Sequence, residues 1–195
     1  MKRALLLLLL VLPLQPAASR YDRLPPQKKI DLIEKGKIPP GTQVVFQQKE
    51  LNAFLAVRAK EVVPDGLRDT RLEIGNGKVT GYAMVDFVKM RQARGQELNW
   101  LMSKMLEGEH PITVTGRIES NRGIARVDIE RVDIGGSVIE GRALDLLIRT
   151  FVNPLYPQAK VGKDFELGYN MDRIELHPGM ARVVMAPKES LQASR

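Results

Sequence analysis

Three times in this chain a stretch of alternating apolar residues runs into a turn and then alternates back, and no other feature restricts the fold as much. Leu72 and Ile74 lead into Gly75-Asn76-Gly77, and the chain returns through Val79, Gly81, Ala83, Val85 and Phe87. Ile112, Val114, Gly116 and Ile118 lead to Asn121-Arg122-Gly123, with Ala125, Val127 and Ile129 coming back. Met171 to Leu176 turns at Pro178-Gly179 and returns from Met180 to Ala186. Side chains alternate between the two faces of a strand, and glycine and asparagine supply the positive φ of a tight hairpin. Strands joined in this way make an antiparallel sheet.

Two irregularities say more about that sheet. The strand after Gly77 also carries Tyr82, Met84, Val88 and Met90 on its second face, broken only by Asp86. A strand apolar on both faces is a poor candidate for having one of them in bulk water. In the second hairpin the alternation slips, because Val132 and Ile134 are out of phase with Val127 and Ile129. One extra residue near 130–131 predicts a β-bulge, and bulges bend sheets.

Helical spacing fills the gaps between hairpins. A short helix is expected at 27–36, between Pro25-Pro26 and Pro39-Pro40, followed by a β-prone stretch at 42–46. Leu51, Phe54, Leu55 and Val62 share one face of a helix over 48–62, which Pro64 stops. Leu98, Leu101, Met102 and Met105, widened by Trp100 and Leu106, predict another at 93–107. A third main helix is expected from about 138 to 152 on Leu144, Leu147, Ile148 and Phe151, with Asp145 and Arg149 as an i, i+4 pair on its wet side. The fold class is therefore α+β: a strongly curved antiparallel sheet built from hairpins, packed around or against about three helices.

The N-terminus predicts export. Met1-Lys2-Arg3 is followed by a leucine-rich run from Ala4 to Leu14 and by the small residues Ala17-Ala18-Ser19. That is the layout of a secretory signal peptide, with the cut expected after Ala18 or Ser19. A membrane-spanning helix needs about 20 apolar residues, more than this run has. The expected organisation is a leader at 1–18, a polar lead-in at 19–40, one domain at 41–187 and a flexible tail at 188–195, placed in the periplasm or cell envelope. The formal charge falls from +7 to +5 once Lys2 and Arg3 leave. For an exported protein this favours contact with an anionic membrane surface over nucleic acid. The chain has no cysteine, so packing alone must hold it.

No motif reads as catalytic. Gly135-Gly136-Ser137 resembles a nucleophile elbow only in part, since the position two residues past the serine is Ile139 where a glycine is required. Ser137-Val138-Ile139-Glu140 reads instead as a capping box. Gly75, Gly77 and Gly81 join strands and do not open a helix, which argues against a phosphate loop. Asp128, Glu130 and Asp133 alternate along a strand and lack the spacing of a calcium loop. His110 and His177 have no second ligand at zinc spacing. Neither a metal nor a cofactor is expected.

Three segments resemble the exported bacterial TULIP-like lipid-binding family over roughly 45–186. They are Glu50-Leu51-Asn52-Ala53-Phe54-Leu55, the run from Gly116-Arg117-Ile118 through Gly123 to Val132-Asp133-Ile134-Gly135-Gly136, and Asp172-Arg173-Ile174-Glu175-Leu176 with Pro178-Gly179. The resemblance implies a curved sheet wrapped on a long helix, with an elongated apolar cavity for lipid tails. On that reading the expected ligand is a lipid or another hydrophobic molecule, lined by Phe54, Leu55, Tyr82, Met84, Trp100, Leu101, Met105, Leu147 and Phe151. Arg91, Arg94 and Lys104 are the expected head-group contacts. The alternative is an envelope scaffold or adaptor that binds an unidentified protein partner through a sheet edge or an apolar helix face.

Overall fold

The computed structural model describes residues 19–62, 66–92, 95, 100–152 and 161–188. The expected leader lies outside the described residues, as does the expected tail beyond Lys188. Among the described residues nine strands form two antiparallel sheets, and the fold is α+β. The larger sheet runs in the order β2 (Leu67–Ile74), β3 (Lys78–Asp86), β4 (Glu109–Asn121), β5 (Ile124–Ile134) and β6 (Ser137–Ile139). A short strand, β7 (Asp164–Glu166), pairs with the start of β5. The smaller sheet has β9 (Met180–Met185) between β1 (Gln43–Gln47) and β8 (Met171–His177).

The three expected hairpins are β2–β3, β4–β5 and β8–β9. Arg122 and Gly123, at φ 49° and 78°, make the tight left-handed loop of the second. The tips of the first and third interlock: the Gly77 amide donates to the Leu176 carbonyl, and the Gly179 amide donates to the Ile74 carbonyl. Ser120 adds a second stitch, its hydroxyl donating to the Ile174 carbonyl at 2.9 Å and accepting from the Ile174 amide at 2.8 Å. The smaller sheet is thus bonded to the larger one.

The expected bulge is present. Thr115 pairs with Arg131 and Gly116 with Ile129, which leaves Glu130 as the extra residue. Its consequence is that Ile129 and Val132 fall on the same face, where strict alternation would separate them. A second irregularity lies between Arg68 and Arg71 in β2.

Four expectations change. First, residues 19–40 are part of the core. Tyr21, Ile33 and Ile38 are buried together with Val44, Phe46, Val183 and Met185. Helix α1 (Pro26–Glu34) also buries Lys29 completely; its Nζ donates to the Val45 carbonyl at 2.7 Å and to Glu50 at 2.9 Å. That charge on the inner face disguises the helix as a polar lead-in.

Second, β3 stops at Asp86, and Phe87, Val88 and Met90 belong to helix α3 (Phe87–Gln92). The Asp86 carboxylate accepts the Lys89 amide at 2.9 Å, a helix-capping bond. Asp86, the one break in the apolar pattern, is therefore the start signal of a helix. Just before β2, the carbonyl oxygen of Gly66 (φ 98°) accepts the Asp86 amide at 2.8 Å, and a Cβ on Gly66 would lie 2.7 Å from the Asp86 carbonyl oxygen.

Third, helix α4 is confined to Trp100–Met105 among the described residues, and the expected start at 93 falls on residues outside them. Fourth, Ser137 lies in β6, so the predicted capping box is absent. Helix α5 (Gly141–Leu147) begins after Glu140, which makes no side-chain capping bond, and passes into a π-helical turn at Ile148–Val152. The Gly135-Gly136 pair, both at positive φ, folds β6 back onto β5.

Helix α2 (Gln48–Val62) covers the free edge of β2. Asn52 donates to the Leu72 carbonyl at 3.0 Å and accepts the Leu72 amide at 2.6 Å, while Gln48 accepts the Ile74 amide at 2.8 Å. Side chains here replace the missing neighbour strand.

Candidate functional site

The register decides which residues share the inner face of the larger sheet. Ala83 pairs with Ile112 and Val85 with His110, while Ile112 pairs with Ile134 and Val114 with Val132. Directly opposed residues point to the same side. The bulge adds Ile129 to them. Phe87 closes one end of this face, and Leu144, Leu147 and Ile148 of α5 and the π turn lie over it.

Between sheet and helix remains a cleft of about 130 Å³, lined by Ile112, Val114, Ile129, Val132 and Ile134 below and by Phe87, Leu144, Leu147 and Ile148 above. Every one of these residues is apolar. On its flank Val85, Phe87 and Met90 form a buried cluster, with Leu147 packed against it.

At Ile129, Leu144 and Ile148 the cleft meets a larger groove of about 800 Å³, which Asp128, Asp145, Arg149, Val161, Gly162 and Lys163 complete. It follows the stretch of β5 between the pairing of β6 and that of β7, where the Gly162 amide donates to the Val127 carbonyl at 2.8 Å. Arg126 holds Asp128 at 2.9 and 3.1 Å, and that bond pushes the Arg126 guanidinium above its ordinary pKa. The expected Asp145–Arg149 ion pair is replaced by a bond from Arg149 Nε to the Asp145 backbone carbonyl at 3.3 Å. Among the described residues no ion pair engages Arg149 or Lys163. A greasy slot thus opens beside two cations on the wall of a wider groove.

The opposite face of the sheet is a charge lattice. Tyr82 donates to Glu73 at 2.9 Å, and the Arg71 guanidinium stacks 3.7 Å from the Tyr82 ring centre. Arg71 and then Tyr82 hold the Glu73 carboxyl below its usual range, and the same bond pushes the Tyr82 phenol up. Glu130 pairs with Lys78 at 2.6 Å and Arg117 at 2.8 Å, and Lys78 first lowers its pKa. Asp133 accepts the Gly136 amide at 2.8 Å. Among the described residues no group of three histidine or acidic side chains is close enough to hold a metal ion.

Of the nine expected lining residues, Leu147 lines the cleft. Tyr82 and Met84 lie on the other face of β3, because Ala83 and Val85 take the inner one. Phe54 and Leu55 are half-buried on α2 and outside the cleft lining. Trp100 on α4 is 77% exposed. The backbones of Leu101, Met105 and Phe151 lie in α4 and the π turn, and their side chains are outside the described residues. Arg91 sits in α3 and Lys104 is exposed on α4, neither of them lining the groove, while Arg94 is outside the described residues. Sequence reasoning missed Phe87, Ile112, Val114, Ile129, Val132, Ile134, Leu144 and Ile148 as a set. Their signal was the slipped alternation, which places Ile129 beside Val132.

No protein-family model matches this sequence, and no curated protein matches it. Among the described residues no helix is long and apolar enough to cross a membrane.

Proposed function

We propose that this chain is an exported, non-catalytic binding protein that takes part of a lipid or other hydrophobic molecule into the cleft beneath α5. The observation that carries the reading is the composition of that cleft: nine apolar residues and no polar one, opening beside Arg149 and Lys163. Apolar cavities of about 150 Å³ stay dry and accept a benzene-sized molecule. A cleft of about 130 Å³ therefore seats a short hydrocarbon segment, with the rest of the ligand in the adjoining groove. Each methylene so buried contributes about 0.8 kcal/mol, so a segment of roughly four or five offers about 3–4 kcal/mol. The two cations suit an anionic head group or an anionic membrane surface. The leader-like N-terminus and the likeness to exported TULIP-like proteins support the same reading.

Native mass spectrometry of protein purified from its own host tests it. Co-purifying lipid, or uptake of offered phospholipid, should disappear in Leu147→Glu while circular dichroism stays that of the parent. Met84→Glu, on the opposite face, should leave uptake unchanged. Ligand-free protein that takes up nothing, or equal loss in both variants, would defeat the reading. The adaptor reading rests on exposed apolar residues, Trp100 on α4, Val138 on β6 and Leu146 on α5. A protein partner captured through those residues, with no lipid uptake, would favour it.

A further inference from the structure

Ser19, which adjoins the expected cleavage positions, is tied into the fold by three hydrogen bonds. The Ser19 amide nitrogen donates to Asp22 Oδ2 at 2.8 Å, and the Asp22 amide donates back to the Ser19 carbonyl at 2.9 Å. The Ser19 hydroxyl accepts the Tyr21 amide at 3.3 Å. The other oxygen of Asp22 accepts the Val45 amide at 2.9 Å, on the edge of β1 that no strand covers. Tyr21, between them, is buried against Val44 and Phe46. One carboxylate therefore bridges the Ser19 nitrogen and an edge strand of the core.

The small residues Ala17-Ala18-Ser19 permit a cut on either side of Ser19. The two cuts differ in what they leave. A cut after Ser19 removes all three of its bonds. A cut before Ser19 keeps them and changes the charge of the donor. Hydrolysis adds one water across the Ala18–Ser19 amide: the carbonyl carbon takes the hydroxyl, the nitrogen takes the hydrogen, and the new amine binds a further proton at neutral pH. A neutral N–H facing a carboxylate becomes an ammonium facing it, which adds the attraction of two opposite charges to the hydrogen bond already made.

We infer that the chain is processed between Ala18 and Ser19, and that the new Ser19 ammonium becomes a structural cation paired with Asp22 and, through it, fastened to β1. The inference rests on the export reading given above and is independent of the ligand. It makes removal of the leader a step that consolidates the fold. Around this nitrogen the charged side chains are Arg20, Asp22 and Arg23 of the same turn, with Lys29 of α1 and Glu50 of α2 further along the β1 edge; β1 itself has none. Arginine, lysine and carboxylate side chains ordinarily titrate outside about pH 7–9, whereas an α-amine titrates at about 7.7–8.0.

The sign follows from the pairing. An ammonium stabilised in the folded state has a raised midpoint, so its contribution is complete below the unfolded value and is lost as pH rises through the folded one. The test uses the full chain, expressed with its own leader in an exporting host. Intact mass and N-terminal sequencing of the exported protein should give Ser19 as the first residue. The pH dependence of acylation of its α-amine, read on the N-terminal peptide, should have a midpoint on the order of one unit above the ordinary value, equivalent to about a tenfold change in folding equilibrium. Asp22→Asn keeps an oxygen for the Val45 amide and should return the midpoint to ordinary; the parent titration stands alone if that variant fails to fold. Arg20 as first residue, or an ordinary midpoint in the parent, overturns the inference with export intact. A chain that is neither exported nor cut overturns the export reading and takes this inference with it.

Discussion

Lys29 and Glu50 show how much of this fold depends on single polar side chains inside apolar surroundings. The Lys29 ammonium is fully buried, lies 5.2 Å from the Phe46 ring centre and donates to the Val45 carbonyl and to Glu50. Glu50 also accepts the Gln47 amide at 2.9 Å. Removing one member of a buried pair leaves an uncompensated charge, a loss of about 3–5 kcal/mol, whereas replacing both by apolar groups of similar size is often neutral. Glu50→Ala is therefore expected to lower stability in urea by about 3 kcal/mol, the low end of that range, because Glu50 is partly exposed. Lys29→Met combined with Glu50→Leu should recover most of the loss, and an additive double variant would contradict this assignment. At this scale the sequence was least legible. A lysine at an inward helical position looks like a surface residue until its partner, 21 positions away, is brought beside it.

At the scale of elements, the hairpins were legible because turn chemistry is local. Asn121-Arg122-Gly123 and Gly75-Asn76-Gly77 announce their own geometry, and the phase slip near Glu130 announced the bulge. Helix starts were less so, since one short pattern can serve two structures. Ser137-Val138-Ile139-Glu140 satisfies a capping box and also a three-residue strand; the turn at Gly135-Gly136 and the pairing of Ile134 with Ser137 decide for the strand. Asp86 was legible only in retrospect, as a cap where the alternation broke. The covering of β2 by α2 has a measurable consequence. Asn52→Ala would strip the Leu72 amide and carbonyl of their partners, at about 1–3 kcal/mol. It would also leave an open strand edge, which favours self-association. Scanning calorimetry should show a lower midpoint and light scattering an earlier onset of aggregation; an unchanged midpoint would mean that α2 does not guard this edge.

For the whole molecule, the register of the larger sheet, with its bulge at Glu130, sets which face is apolar beneath α5 and which is charged. The resemblance to lipid-binding proteins led to an expected cavity lined from α2, β3, α4 and the third main helix; α5 does contribute Leu147, but the cleft lies between it and β4 and β5. Composition alone could not choose, because Tyr82 and Met84 look as suitable as Ile112 and Val114 until the register separates their faces. The central claim is that hydrocarbon enters this cleft. Methyl-labelled protein titrated with a lysophospholipid below its micelle concentration tests it most directly by NMR. The predicted result is saturable shifts concentrated on the methyls of Ile112, Val114, Ile129, Val132, Ile134, Leu144 and Leu147, with Met84 unmoved. Shifts confined to Met84 or to the α2 residue Leu55, or none at all, would contradict it.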